Sequence, residues 1–227
     1  MEALERTGHD KDTVLIASSD HGDYAGDYGL VEKWPGGLET CLTHVPLIAR
    51  MPGAPGGHVV TEMVELFDIM ATFLDLGQVE AKHTHFAKSL VPQIKGVAGD
   101  LQRAAFTESG YDTFEPQSFE PPLPGQPGLY TAKHDIQNQQ PETVTRAASI
   151  ATRDYKFIAR PGGQSELYDR HKDPMEMHNL IDSRSHKGLK SAMRERLMNR
   201  YISTTGVPPW DRDPREMPEF NLLSKFP

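Results

Sequence analysis

The pattern of apolar and polar positions changes texture partway along the chain. Residues 1–7 are rich in strong helix formers and stop at Gly8, which is how the last turns of a helix read, so the chain enters inside an element. Thr13-Val14-Leu15-Ile16-Ala17 is a short continuous apolar run with β-branched members, the pattern of a strand buried on both faces of a parallel sheet. It runs into Ser18-Ser19-Asp20-His21-Gly22, and polar residues at the carboxyl end of such a strand stand where open α/β sheets place their ligands. A glycine-rich loop over 22–40 leads to a second strand, 45–49, closed by Met51-Pro52-Gly53. Over 61–76, Val64, Phe67, Ala71 and Leu74 recur at helical spacing, with Thr61 placed to cap the start and Gly77 to end the last turn. This face is expected to pack on the sheet.

Residues 110–141 hold many Pro, Gly and Gln without periodicity and read as a long surface loop beside the site. Beyond it the spacing shortens: 147–152, 155–160 and 166–169 are strands separated by Arg153-Asp154 and Pro161-Gly162-Gly163 turns, which makes a small antiparallel sheet. Leu189, Met193, Leu197 and Tyr201 recur every four residues and predict a late helix covering one face of that sheet. The expected class is α/β: part of a mostly parallel sheet with packed helices, followed by a small antiparallel sheet with a C-terminal helix. The expected units are 1–109, the loop 110–141, an α+β subdomain over 142–205 and an irregular tail over 206–227. Two parallel strands cannot bury both faces or satisfy their edges. More sheet is therefore expected, from a longer natural protein, an upstream chain or self-association.

Composition narrows the partners. A formal net charge of -8 argues against tracking a nucleic-acid backbone, which needs clustered Lys and Arg in excess. No apolar run approaches the roughly eighteen residues of a membrane span. Cys41 is the one cysteine, so no intrachain disulfide can form and the redox compartment leaves no mark. The first ten residues contain no signal-peptide h-region, and localisation stays open.

The chemistry concentrates in Ser19-Asp20-His21-Gly22-Asp23. A carboxylate and an imidazole side by side can hold a divalent cation but cannot complete its shell. Taken alone, the pair also fits a turn-capping Asp and a hydrogen-bonded structural His. The run S-D-H-G-D-Y-A-G-D-Y-G-L-V-E-K over 19–33 resembles the loop found late in the catalytic domain of sulfatases, members of the alkaline phosphatase superfamily. V-P-L-I-A-R-M-P-G over 45–53 is similar to the strand and turn that follow in that family. Arg153-Asp154-Tyr155-Lys156-Phe157-Ile158 and Glu166-Leu167-Tyr168-Asp169, with Asp173-Pro174 and Asn179-Leu180, resemble its carboxy-terminal signature.

The resemblance implies metal ligands at Asp20 and His21, and a catalytic, substrate-binding lysine at Lys33 that contacts the sulfate group. It implies a divalent metal, calcium first with manganese, zinc or magnesium as alternatives, and a sulfated small molecule or carbohydrate as substrate. Its relatives are often periplasmic, secreted or lysosomal. Many sulfatases carry Asp-Asn where this chain has Asp-His, a variant shared with phosphonate and phosphodiester hydrolases. The family nucleophile, a Cys or Ser in C/S-x-P-S-R that is converted to formylglycine, has no counterpart here. Cys41 lacks the proline and arginine of that run and reads as a small buried thiol. The expectation is a truncated sulfuric ester hydrolase, inactive as the isolated chain, with a non-catalytic anion-binding remnant as the contrasting reading. Asp23 and Asp27 read as turn caps, His44 as structural, and His83 and His85 as loop residues. Lys133 and His134 fall in the long loop, where contact with substrate is the minor reading.

Overall fold

The computed structural model describes residues 1–112 and 131–207, so most of the expected 110–141 loop and of the 206–227 tail lies outside the described residues. The chain begins with helix α1 (Glu2–Thr7), which ends as expected at Gly8 in the left-handed conformation. Strand β1 (Leu15–Ser18) pairs with β2 (Leu47–Arg50) in register Leu15 to Arg50 and Ser18 to Leu47. This pairing is antiparallel, against the parallel arrangement expected from the apolar runs. The reason is the connection. Between the strands lie only a 3-10 turn (Asp27–Gly29) and the one-turn helix α2 (Thr40–Thr43), and parallel strands need a crossover that carries the chain back to its starting end. The chain instead returns at the end it left. Nor are the strands buried on both faces: Leu15 and Ile48 are 42% and 66% exposed.

Helix α3 (Asp68–Leu76) starts later than expected and is not capped by Thr61. Its first turn is closed by Asp68, whose Oδ2 accepts from the Glu65 backbone N–H at 2.9 Å. The buried face is Asp68, Ala71 and Thr72, while Phe67 and Phe73 are exposed. A polar face is tolerable because each group is satisfied. Arg103 pairs with Asp68 at 2.7 Å and with Glu65 at 3.3 Å, and Thr72 Oγ1 accepts from the Leu90 N–H at 2.9 Å. Gly77 follows the helix as expected, but it is Gln78 that takes positive φ. A short helix α4 (Val91–Ile94) leads on to β3 (Ala105–Ser109).

The second sheet is antiparallel, in the order β3, β4 (Ala147–Ala151), β5 (Tyr155–Ala159), β6 (Glu166–Asp169). The last three strands stand where the spacing placed them; β3, from the segment before residue 110, adds an unexpected edge. Helix α5 (Thr131–Gln139) occupies part of what read as irregular loop. Helix α6 (Lys187–Thr204) covers one face: Met193 and Leu197 are buried with Ile150, Phe157, Leu167 and Ile181, and Leu189 and Tyr201 pack alongside. On the other face Leu38, from the loop after β1, is sealed against Ala147, Ile158 and Tyr168. That insertion ties the two sheets together.

Candidate metal and anion site

The loop after β1 is shaped by its glycines and by left-handed residues. A Cβ on Gly22 would lie 1.8 Å from the Cys41 carbonyl oxygen, so only glycine lets the Gly22 N–H reach the Leu42 carbonyl at 2.8 Å. Ala25, Gly26, Tyr28, Gly29 and Glu32 all have positive φ, and together they fold the segment back on itself. The return is held by hydrogen bonds from the Tyr24 N–H to the Glu32 carbonyl at 3.1 Å and from the Gly26 N–H to the Leu30 carbonyl at 2.9 Å. Asp23 Oδ1 accepts from the Ala25 N–H at 2.7 Å, the turn-capping role expected of it.

This fold-back brings Lys33 to the strand end. Its Nζ lies 3.2 Å from His21 Nε2, and Asp20 Oδ2 lies 3.7 Å from the same nitrogen. The three residues singled out in the sequence therefore converge. His21 Nδ1 is 2.7 Å from the Gly22 carbonyl, which can only accept, so Nδ1 carries the proton and Nε2 presents a lone pair. That is the tautomer a metal-binding imidazole needs. The Asp20 carboxyl accepts from the His21 backbone N–H at 3.0 Å, and this bond, aided by the charge of Lys33, holds its pKa below the usual carboxylate value. Its side chain is 88% exposed and His21 43%, so both donors face open space. The donor set fits half of a divalent-cation shell. No group of three or more His, Cys, Asp or Glu side chains suited to a metal is gathered among the described residues.

The second sheet braces the loop. Tyr28 Oη donates to the Met175 carbonyl at 2.7 Å, and Trp34 Nε1 to the Thr143 carbonyl at 3.0 Å. Glu176 accepts from the Thr40 N–H at 2.8 Å and the Thr40 hydroxyl at 2.6 Å, while pairing with the fully buried Lys156 at 3.0 Å. Burial pushes the Lys156 pKa down against the pull of Glu176. Arg160 donates to the Gly36 carbonyl at 2.6 Å and pairs with Glu166. Glu176 and Arg160 escape a reading of the sequence as supports for this loop, because both act across more than a hundred residues.

Other candidates fall away. Cys41 is half-buried; desolvation and the nearby carboxylates of Asp27, Glu39 and Glu176 push its thiol up, the opposite of an activated nucleophile. His83 and His85 lie with ring centroids 5.8 Å apart, and neither lines the cavity that holds Asp20 and His21. Lys133, by contrast, reaches the loop: its Nζ pairs with Glu32, next to Lys33, at 2.6 Å. An open cavity of about 1700 Å³ is lined by Asp20, His21, Lys33, Lys133 and Gln137.

Comparison with known proteins follows the same line. Residues 1–79 match the family model described as sulfatase, and residues 130–202 match that of the N-sulphoglucosamine sulphohydrolase C-terminal region. The chain is 24% identical over 216 residues to an uncharacterized sulfatase, YidJ, of Escherichia coli, covering 90% of this chain and 37% of that protein. It is 26% identical over 219 residues to an N-acetylglucosamine-6-O-sulfatase of Bacteroides thetaiotaomicron, covering 94% of this chain and 33% of that one. The chain thus spans about a third of the length of the curated relatives it matches. Among solved structures, the phosphonate monoester hydrolase of Agrobacterium radiobacter superposes with TM-score 0.70 at 26% identity, over 89% of this chain and 37% of that one. A structure in complex with its substrate D-glucosamine-2-N,6-O-disulfate superposes with the same TM-score at 24% identity, over 88% and 36% of the two chains, and so shares the fold. With two family models matched in chain order and relatives aligned along nearly its whole length, the chain belongs to the sulfatase family.

Proposed function

We propose that the chain carries half of the active site of a metal-dependent hydrolase of sulfate esters, with Asp20 and His21 as metal ligands and Lys33 as the group that contacts the sulfate. The observation that carries this reading is the convergence of the three side chains within 3.2 to 3.7 Å at the end of β1, with the imidazole held in the ligand tautomer. A bound divalent cation would supply Lewis-acid stabilisation of charge on the ester oxygens. Lys33 adds a fixed ammonium on the same side, where negative charge moves toward the leaving oxygen. In this structure that ammonium donates to the His21 Nε2 lone pair at 3.2 Å, so a cation bound there would take the lone pair and leave Lys33 to turn toward the sulfate. Calcium is the first ion to test, followed by manganese, zinc and magnesium, because imidazole is a less usual ligand for a hard cation.

The nucleophile, a formylglycine formed in C/S-x-P-S-R, would come from a segment other than these 227 residues, since none of them makes that run. The isolated chain is then inactive, and activity returns when a segment bearing that motif is supplied. The substrate class is a sulfated carbohydrate, as the names of the glucosamine-directed relative and of the glucosamine disulfate complex suggest. A second reading, a phosphonate or phosphodiester hydrolase, is favoured by the Asp-His pair and by the likeness to a phosphonate monoester hydrolase.

The test measures hydrolysis of 4-nitrophenyl sulfate and of an aryl phosphonate by the chain, alone and with the complementing segment. Turnover only in the complemented form, faster on the sulfate, supports the first reading; faster on the phosphonate, the second. Full turnover by the isolated chain contradicts both.

A further inference from the structure

Helix α5 lies beside the site and carries a buried polar group with no partner among the described residues. Lys133 and Gln137 are one turn apart and share a face of the helix, and both line the cavity that holds Asp20, His21 and Lys33. The Lys133–Glu32 ion pair at 2.6 Å fastens that face to the residue preceding Lys33. Gln137 is only 4% exposed, yet its side-chain Nε2 has no hydrogen-bond partner among the described residues. Burying an amide donor without a hydrogen bond is unfavourable, a cost folding has no reason to keep unless something else accepts the bond. The helix offers no apolar reason for burying it: its sequence, TAKHDIQNQ, is polar and Ile136 is 44% exposed.

Resting on the reading of Asp20, His21 and Lys33 given above, we infer that Gln137 is a specificity-determining contact of the same site. Its amide donates a hydrogen bond to a hydroxyl or ring oxygen of the sugar that carries the sulfate ester. A carboxamide N–H suits a neutral oxygen acceptor, which a sugar presents at nearly every carbon and a simple aryl group does not. Lys133 is the positioning residue, since its pair with Glu32 sets the distance between the amide and the Lys33 ammonium. The assignment separates two tasks: Lys33 meets the anionic group common to all sulfate esters, and Gln137 reads what the sulfate is attached to.

The test follows the side-chain signals of His21 and Gln137 by NMR in the 227-residue chain with calcium present, while adding glucosamine 6-sulfate, 4-nitrophenyl sulfate or inorganic sulfate. The expected result is that all three move the His21 imidazole and only the sugar sulfate moves the Gln137 amide. Gln137→Leu is expected to weaken sugar-sulfate binding roughly tenfold while leaving inorganic sulfate unchanged. Its urea midpoint should not fall, because a donor without a partner contributes nothing to the free protein. A Gln137 amide that stays still while His21 responds, an equal loss for all three ligands, or a lowered urea midpoint overturns the inference and leaves the reading of the site intact. If no ligand moves His21, that reading fails and the inference falls with it.

Discussion

The two sheets of this protein are built on opposite terms. In the four-stranded sheet Ile150, Ile158 and Leu167 are wholly buried between α6 and the inserted Leu38, whereas in the two-stranded sheet Leu15 and Ile48 look out into open space. The proposed metal ligands nevertheless follow the poorly packed sheet. Asp20 and His21 follow β1, and what fixes their loop is mostly the other sheet, through Leu38, Tyr28, Trp34 and the Thr40–Glu176 contact. The four-stranded sheet serves as a clamp: it and its flanking loops hold the segment through the side chains of Tyr28, Trp34, Leu38 and Thr40, and leave those of Asp20 and His21 exposed.

The contrast can be broken first where the difference is largest. Leu167→Ala opens a cavity in the packed sheet and is expected to cost about 2–5 kcal/mol in urea unfolding, while Ile48→Ala stays within about 0.5 kcal/mol. Similar losses at both positions would mean that the two sheets are packed alike. Next comes the clamp: Glu176→Ala leaves the Lys156 ammonium buried without its partner and is expected to cost about 3–5 kcal/mol, along with a loosened 34–43 segment in hydrogen exchange. A neutral result would remove Glu176 from the bracing of the loop.

Lys33→Ala sharpens the comparison from the other side. With the side chain exposed, unfolding should change by less than about 0.5 kcal/mol, but sulfate-ester turnover in the complemented enzyme should fall about 10²–10³-fold. The smallest effect concerns Asp169 at the end of β6, whose carboxyl is held below its ordinary value of 3.8 by the Lys172 backbone N–H and by the Lys172 ammonium. Its folded-state pKa is depressed, so its share of stability is present above pH 3.8 and lost as pH falls through the lower folded value. Asp169→Asn should flatten the acid limb of the stability curve in that window, and an unchanged limb would rule the carboxylate out.

Legibility followed packing as well. The strands β4, β5 and β6 and helix α6 could be read because their apolar positions face one core at regular spacing. The trio Asp20, His21 and Lys33 was legible from a motif, since the order of its residues carries the loop geometry. Strand β3, helix α5, and the start and polar face of helix α3 were not. Strand β3 has only Ala105 and Phe106 to mark it, and its place comes from a ladder to β4 some forty residues on. Helix α3 buries Asp68 and Thr72, a face no hydrophobic period reveals, because Arg103 and the Leu90 N–H satisfy it from a distance. Helix α5 has only Ala132 and Ile136 among polar residues, so no apolar period separates it from loop. The direction of β2 was lost for another reason: apolar runs report burial, and only the connection sets which way a strand returns.

The most direct test of the central claim is a titration of the isotope-labelled chain with manganese, whose unpaired electrons broaden nearby signals even when binding is weak. The expected result is broadening centred on Asp20, His21 and the end of β1, removed by His21→Ala and by excess calcium. Broadening elsewhere on the chain, or none at millimolar metal, would contradict a cation site at Asp20 and His21.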